Sequence, residues 1–154
     1  MTDKPAYDIP HEPEINFLTS QFEYGMLFKI AEVLADYLLL TKAYSVNAKQ
    51  LGMTSNSFMI MGGLFCHNPK VILYGSNRVK MDEYSSAARE HIAISRPESI
   101  VVGYNNFKGE RVVRDLVGIE SRYFQHELDN LSGIDWRTRA TPNERLKAVK
   151  RVLH

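Results

Sequence analysis

Phe124-Gln125-His126-Glu127-Leu128-Asp129-Asn130-Leu131-Ser132-Gly133 is the stretch on which the reading of this chain turns. An α-helix turns once in about 3.6 residues, so side chains four apart share one face. In the H-E-x-x-H arrangement two histidines at that spacing chelate a metal, and the glutamate between them handles the proton of metal-bound water. Here His126 and Glu127 are in place, but the second histidine position holds Asn130. The segment reads as a metallohydrolase helix with one ligand replaced. The plainer alternative is an amphipathic helix that happens to contain His-Glu.

Working outward, Gly118 precedes this helix and Gly133 is placed to end it. Ser99 to Tyr104 and Glu110 to Val117 flank a turn over 105–109, which predicts a β-hairpin. His91 to Ser95 has short-strand character, and the polar run Arg78 to Glu90 reads as a loop. Further upstream, Phe58 to Met61, Leu64 to Cys66 and Val71 to Tyr74 are apolar strand-like runs, punctuated by Gly62-Gly63 and Asn68-Pro69. Before them a long helix runs from Thr19 or Ser20 to about Thr41. Its expected apolar stripe is Phe22, Met26, Ile30, Val33, Leu34, Tyr37 and Leu38. After the His-Glu helix, Thr141-Pro142-Asn143-Glu144 is a capping box that predicts a terminal helix. Residues 1–18, with Pro5, Pro10 and Pro13, read as an extended arm before a single domain over 19–154. Strands grouped between helices argue an α+β fold.

The composition narrows the function classes. With 154 residues and a net charge of +1, one domain with a real core is expected and no dominant electrostatic partner. Cys66 is the single cysteine, so no intrachain disulfide forms and a reducing, intracellular or cytoplasmic setting follows. The longest uncharged apolar run, Phe58 to Cys66, is far too short to span a bilayer, and no signal peptide is visible.

Q-H-E-L-D-x-L-x-G at 125–133 resembles the third signature of peptide deformylases, Q-H-E-φ-D-H-φ-x-G, where φ is apolar. The likeness covers roughly Ile15 to Ile134, and it implies a deformylase-like fold: a long N-terminal helix, small mostly antiparallel sheets around a central helix, and a short C-terminal helix. The family's first signature, G-φ-G-φ-A-A-x-Q, places its glycines on Ala43 and Ser45, its alanines on Asn47 and Ala48, and its glutamine on Gln50. That glutamine helps bind the oxyanion of the tetrahedral intermediate in the family, so the resemblance gives Gln50 and Glu127 the catalytic positions. The second signature, E-G-C-φ-S, matches through Ser95 and Pro97, placing its glutamate on His91, its cysteine on Ala93 and its apolar residue on Ile94. The metal positions implied are then His126, Asn130 and Ala93, and the substrate cleft takes Ile94 and Ser45.

Two of those three metal positions lack the family's ligand type, whereas a catalytic zinc or iron needs about three protein ligands and an open position. No cofactor is therefore expected, or at most a weakly bound Zn or Fe, with His91 as a rescue ligand. In a regular strand His91 and Ala93 lie on one side, about 6.6 Å apart. His67 and His11 have no spacing argument, Cys66 reads as a small core residue, and Trp136 as a packing anchor. The expectation is a deformylase-like chain without catalysis, a structural or binding component such as a part of a phage virion. Its alternatives are a formyl-methionine deformylase with an atypical metal site, and a ribosome- or nascent-chain-binding relative. Protein partners in an assembly are expected, a ribosome is the alternative through the basic segment from Asp135 to His154, and there is no membrane and no strong nucleic-acid signal. The simpler account of that segment is a solvated helix face beside an apolar one made by Leu146, Val149, Val152 and Leu153.

Overall fold

Successive side chains of a strand point to opposite faces, and here that alternation divides the core. Strand β2 (Ser57–Ile60) sends Phe58 and Ile60 to one cluster and Met59 to another. The computed structural model describes residues 21–85 and 89–153. The arm expected over 1–18, the capping Thr19 and Ser20, and His11 lie outside the described residues.

Five antiparallel strands form the main sheet in the order β1-β2-β3-β6-β7: β1 (Ser45–Asn47), β2, β3 (Leu64–Tyr74), β6 (Ser99–Asn105) and β7 (Arg111–Val117). Helix α1 (Gln21–Thr41) packs on one face through Leu27, Leu34 and Leu38 against Val46, Met59 and Phe65. Ile30, Leu34, Tyr37 and Leu38 of the expected stripe pack in this cluster, and Leu27 joins them at three- and four-residue steps in place of Met26. Met26 and Val33 face out, 47% and 46% exposed.

Helix α2 (Gly118–Leu131) covers the other face. Phe124 meets Phe58 edge-on at 5.0 Å between ring centroids, within a cluster that includes Ile60, Cys66, Ile100, Val102 and Leu116. Cys66 is fully buried there, and burial pushes its thiol well above the ordinary range. The helix ends as its glycine predicts. Gly133 adopts φ 75°, and the N–H groups of Gly133 and Ile134 donate to the carbonyls of Asn130 and Asp129 at 3.2 and 2.9 Å. This is a Schellman cap, which needs a residue at ease in the left-handed region.

Between β3 and β6 the chain leaves the sheet to make a separate two-stranded ribbon, β4 (Arg78–Ser85) with β5 (Glu90–Pro97). The polar run expected as a loop is thus largely a strand. Its charged residues pair across to β5 over the full length, Arg78 opposite Pro97 through Ser85 opposite Glu90. The two apolar runs expected around Asn68-Pro69 are one strand, β3, whose register with β6 shifts between His67 and Lys70 and again between Val71 and Leu73. Asn68, at φ 49°, absorbs the first irregularity. The hairpin of β6 and β7 forms as expected, closed by the Asn106 N–H donating to the Glu110 carbonyl at 2.9 Å.

The terminal helix α3 (Pro142–Leu153) follows the capping box, with the Glu144 N–H donating to Thr141 Oγ1 at 3.2 Å. It packs on β5 through Ala148, which joins Ile92, Ile94, Ala140 and Trp136 in a third cluster. Leu146 and Val149 do not form the packed face expected of them; they are 53% and 50% exposed, because Glu144 and Ala148, four apart, are the buried positions. No helix among the described residues is long and apolar enough to cross a membrane.

Candidate active site

An open cleft of about 1000 Å³ lies between the end of α1, strand β1, the β4–β5 ribbon and the exposed side of α2. His126, Glu127 and Asn130 reach it from α2, Ser45 and Asn47 from β1, and Gln50 from the 3-10 turn that follows β1. Tyr44 stacks on Tyr123 at 5.1 Å along one wall, and His126 lies between Tyr123 and Trp136 at 5.5 and 5.8 Å.

Glu127 is 2% exposed, and both of its carboxylate oxygens accept hydrogen bonds. Ser45 Oγ donates to Oε2 at 2.5 Å, and Asn47 Nδ2 donates to Oε1 at 2.9 Å. The orientation of the Asn47 amide is fixed independently, because its Oδ1 accepts the Gln50 backbone N–H at 2.8 Å. Asn130 Nδ2 leans toward Glu127 Oε1 at 3.4 Å. The Gln50 side chain stands at the rim, with Nε2 at 3.4 Å from the Tyr37 hydroxyl.

Behind His126 is a buried group of charges. Glu83 of β4, fully buried, accepts from Arg96 Nε at 2.5 Å, Arg122 Nη1 at 2.6 Å and the Nδ1 side of His126 at 2.8 Å. Burial alone would push the Glu83 carboxyl up. The hydrogen bonds from His126 and Arg96, with the Arg96 charge, outweigh that and hold it at about 2. A carboxylate that stays ionised is an acceptor only, so His126 carries its proton on Nδ1. Its other ring nitrogen, Nε2, is left to the cleft side. Arg96 also binds Asp129, at 3.0 Å, and Asp129 in turn holds Arg139 at 2.9 Å.

Of the residues the sequence singled out, the structure brings Ser45, Gln50, His126, Glu127, Asn130 and His91 to one cleft. Ala93 and Ile94 are not brought there. Residues directly opposite in an antiparallel pair share a face. Glu83 pairs with Ile92, so the His126 side of the ribbon carries Ile92, Ile94 and Arg96, while Ala93, opposite Asp82, lies on the other side. Ile94 is fully buried against Trp136, Ala140 and Ala148, which corrects its placement in the substrate cleft. His91 lines the same cleft with its ring packed on Tyr84 at 4.7 Å, and among the described residues it forms no group of three or more His, Cys, Asp and Glu side chains that could hold a metal ion. His67 is remote from the cleft, with Nδ1 at 2.7 Å from Ser57 Oγ. Sequence reasoning missed Glu83, Arg96 and Arg122. Val79, Met81 and Glu83 do alternate along 78–85, the one signal of a strand whose next inward position is charged.

A small α+β fold carries a His-Glu helix whose side chains face a cleft. The sequence profile of the polypeptide deformylase family matches residues 20–146. The peptide deformylase of Thermotoga maritima is 30% identical over 114 residues, covering 69% of this chain and 67% of that protein. The crystal structure of peptide deformylase from Thermotoga maritima superposes with a TM-score of 0.72 at 26% identity, covering 77% of this chain and 83% of that one. The Plasmodium falciparum peptide deformylase in complex with an inhibitor has the same fold, with a TM-score of 0.74 at 22% identity over 80% of this chain and 79% of that one. This chain belongs to the polypeptide deformylase family.

That membership corrects the expectation of a chain that is not an enzyme. The relatives it matches carry the name of an enzyme, and the geometry keeps Glu127 and Gln50 together in the cleft. The family uses a metal ion, and the residues present here do not fit one. His126 offers a single imidazole nitrogen, Asn130 offers a neutral amide turned to Glu127, and Ala93 has no donor atom and faces away. Among the described residues no group of three or more His, Cys, Asp and Glu side chains is placed to hold a metal ion. Catalytic zinc needs about three such ligands.

Proposed function

We propose that this chain removes the N-formyl group from peptides, the reaction named by its relatives, in the cleft between α1, β1 and α2. The observation that carries this is the setting of Glu127: a buried carboxylate on the cleft floor, fixed on both oxygens by Ser45 and Asn47, with Gln50 at the rim. A carboxylate held in one position can take a proton from the attacking group and return it to the departing amine, a contribution of about 10²–10⁴ in rate. The amide of Gln50 is the donor available to the carbonyl oxygen as it gains charge. No step is assigned to a metal, since the donor set does not fit one.

The test is formate release from N-formyl-Met-Ala-Ser by the purified chain, after chelator treatment and again with Fe²⁺, Ni²⁺ or Zn²⁺ added. Turnover that falls by about 10²-fold or more in Glu127→Ala supports the reading. Absence of formate under all four conditions, from a chain with a cooperative melt, overturns it. The virion role expected from the sequence has no counterpart in the fold or in these relatives. A protein partner is supported by Leu39 and Leu40, 76% and 84% exposed near the end of α1, and cross-linking at Lys42 checks it.

A further inference from the structure

We propose that a cavity separate from the cleft is a binding site for a phosphate-type oxyanion, held by Arg78 and Arg139 over the buried guanidinium of Arg96. The cavity measures about 490 Å³ and shares no lining residue with the cleft. It forms where β3 hands the chain to the ribbon, where β5 ends, and where α2 brings Gln125, Leu128 and Asp129 alongside. Arg139 enters from the 3-10 turn Trp136–Arg139. Its charge is one-sided. Three guanidinium groups line it, those of Arg78, Arg96 and Arg139, against a single carboxylate, Asp129. That carboxylate is already covered: Oδ2 accepts from Arg96 Nη1 at 3.0 Å and Arg139 Nε at 3.1 Å, and Oδ1 from Arg139 Nη2 at 2.9 Å. With the buried layer behind it included, four arginines meet two carboxylates, Asp129 and Glu83, and two positive charges are left over.

The donors are held before any ligand arrives. Arg78 donates from Nε to Ser95 Oγ at 3.1 Å and from Nη2 to the Ser95 carbonyl at 2.7 Å. Arg139 is fixed in the same way, through Nε and Nη2 on Asp129. Each spends one edge of its guanidinium on an anchor, and the Nη1 group of each has no partner among the described residues. A guanidinium presents its N–H groups as a planar fork that matches two oxygens of an oxyanion. Two forks from separate elements suit an ion with three or four oxygens better than a carboxylate with two. Arg96 and Asp129 are 4% and 7% exposed, so the floor lies out of bulk water, where charge attraction is stronger than at an open surface. Tyr74, 57% exposed on the same cavity, offers a ring face to whatever group the phosphate carries.

The full chain is titrated by calorimetry with inorganic phosphate, with adenosine monophosphate and with adenosine, at fixed ionic strength because salt screens exposed charges. Both phosphate-bearing ligands are expected to saturate one site with a dissociation constant of about 1 mM or below, and adenosine to give no binding. Arg78→Gln and Arg139→Gln are each expected to weaken phosphate binding about tenfold or more. Lys108→Gln, which removes one positive charge from the β6–β7 turn, is expected to leave it unchanged. All three side chains are exposed, so these variants keep the fold. No saturable binding of phosphate or adenosine monophosphate by the wild-type chain overturns the proposal, and that result depends on no variant. Equal weakening in Lys108→Gln also overturns it, because binding is then a diffuse response to net charge. Adenosine monophosphate held about tenfold tighter than inorganic phosphate, with the advantage lost in Tyr74→Ala, identifies a phosphate ester as the occupant. Equal affinities with both arginines required identify free phosphate. No readout here uses turnover, so the result stands or falls apart from the deformylase reading.

Discussion

At Gly75 the chain passes so close to Ser99 that a single added carbon has nowhere to go. A Cβ there would meet Ser99 Oγ at 2.3 Å and the Ser99 carbonyl oxygen at 2.9 Å, and only the first of these can rotate away. The Gly75 N–H donates to that same carbonyl at 2.8 Å, so the approach is part of how β3 hands the chain to the ribbon. Gly75→Ala is expected to cost about 1–3 kcal/mol, read as a lower denaturant midpoint at unchanged slope. At this scale the sequence was legible where local chemistry decides. Gln125-His126-Glu127 announces its helix, and Gly133 announces the end of it. It was not legible where one residue answers another far along the chain. Glu83 meets His126 across 43 positions, and no local pattern states that a carboxylate in a charged run will be fully buried between two arginines. The same distance misplaced Ala93, since a short motif matched by Ser95 and Pro97 says nothing of which face of the ribbon meets α2.

Between the ribbon and α2, Glu83, Arg96, Arg122 and Asp129 do the work that apolar side chains do elsewhere in the core. Removing one member of such a set leaves its partners charged in a dry place, which is costlier than the net value of the intact set. Glu83→Gln is therefore expected to destabilise by about 3–5 kcal/mol, measurable by urea titration. The acid dependence follows with a definite sign. The carboxyl of Glu83 is lowered from 4.5 in the unfolded chain to about 2, so its contribution is complete above pH 4.5 and is lost as pH falls from there toward 2. A shift of that size corresponds to roughly 3 kcal/mol. Unfolding free energy measured from pH 5 down to pH 2 should fall by about that amount for wild type and show a shallower slope in Glu83→Gln. Element positions came through the sequence better than pairings. Both helices flanking the sheet and the β6–β7 hairpin follow periodicity and turn residues. The ribbon was missed because a strand that buries charge carries too little apolar alternation to declare itself.

Taken as one body, the fold places α2 between two sheets that do not hydrogen-bond to each other, and the cleft opens where the ribbon, the main sheet and the end of α1 come together. The turn holding Trp136 closes one side of that opening. Trp136 is 5% exposed, packs with Ile92 and Ile94 behind it, and shows its ring to His126 in front. It is also the chain's single tryptophan. The consequence is optical. All indole emission from this protein originates at one wall of the cleft, in a site shielded from bulk water, so the unliganded chain should emit in the blue part of the indole range. A peptide entering the cleft changes the polarity and quenching around that one ring without any attached dye. Titration with N-formyl-Met-Ala-Ser should give a saturable change in emission that Trp136→Phe abolishes, and the same titration with an unformylated peptide reads selectivity directly from the light.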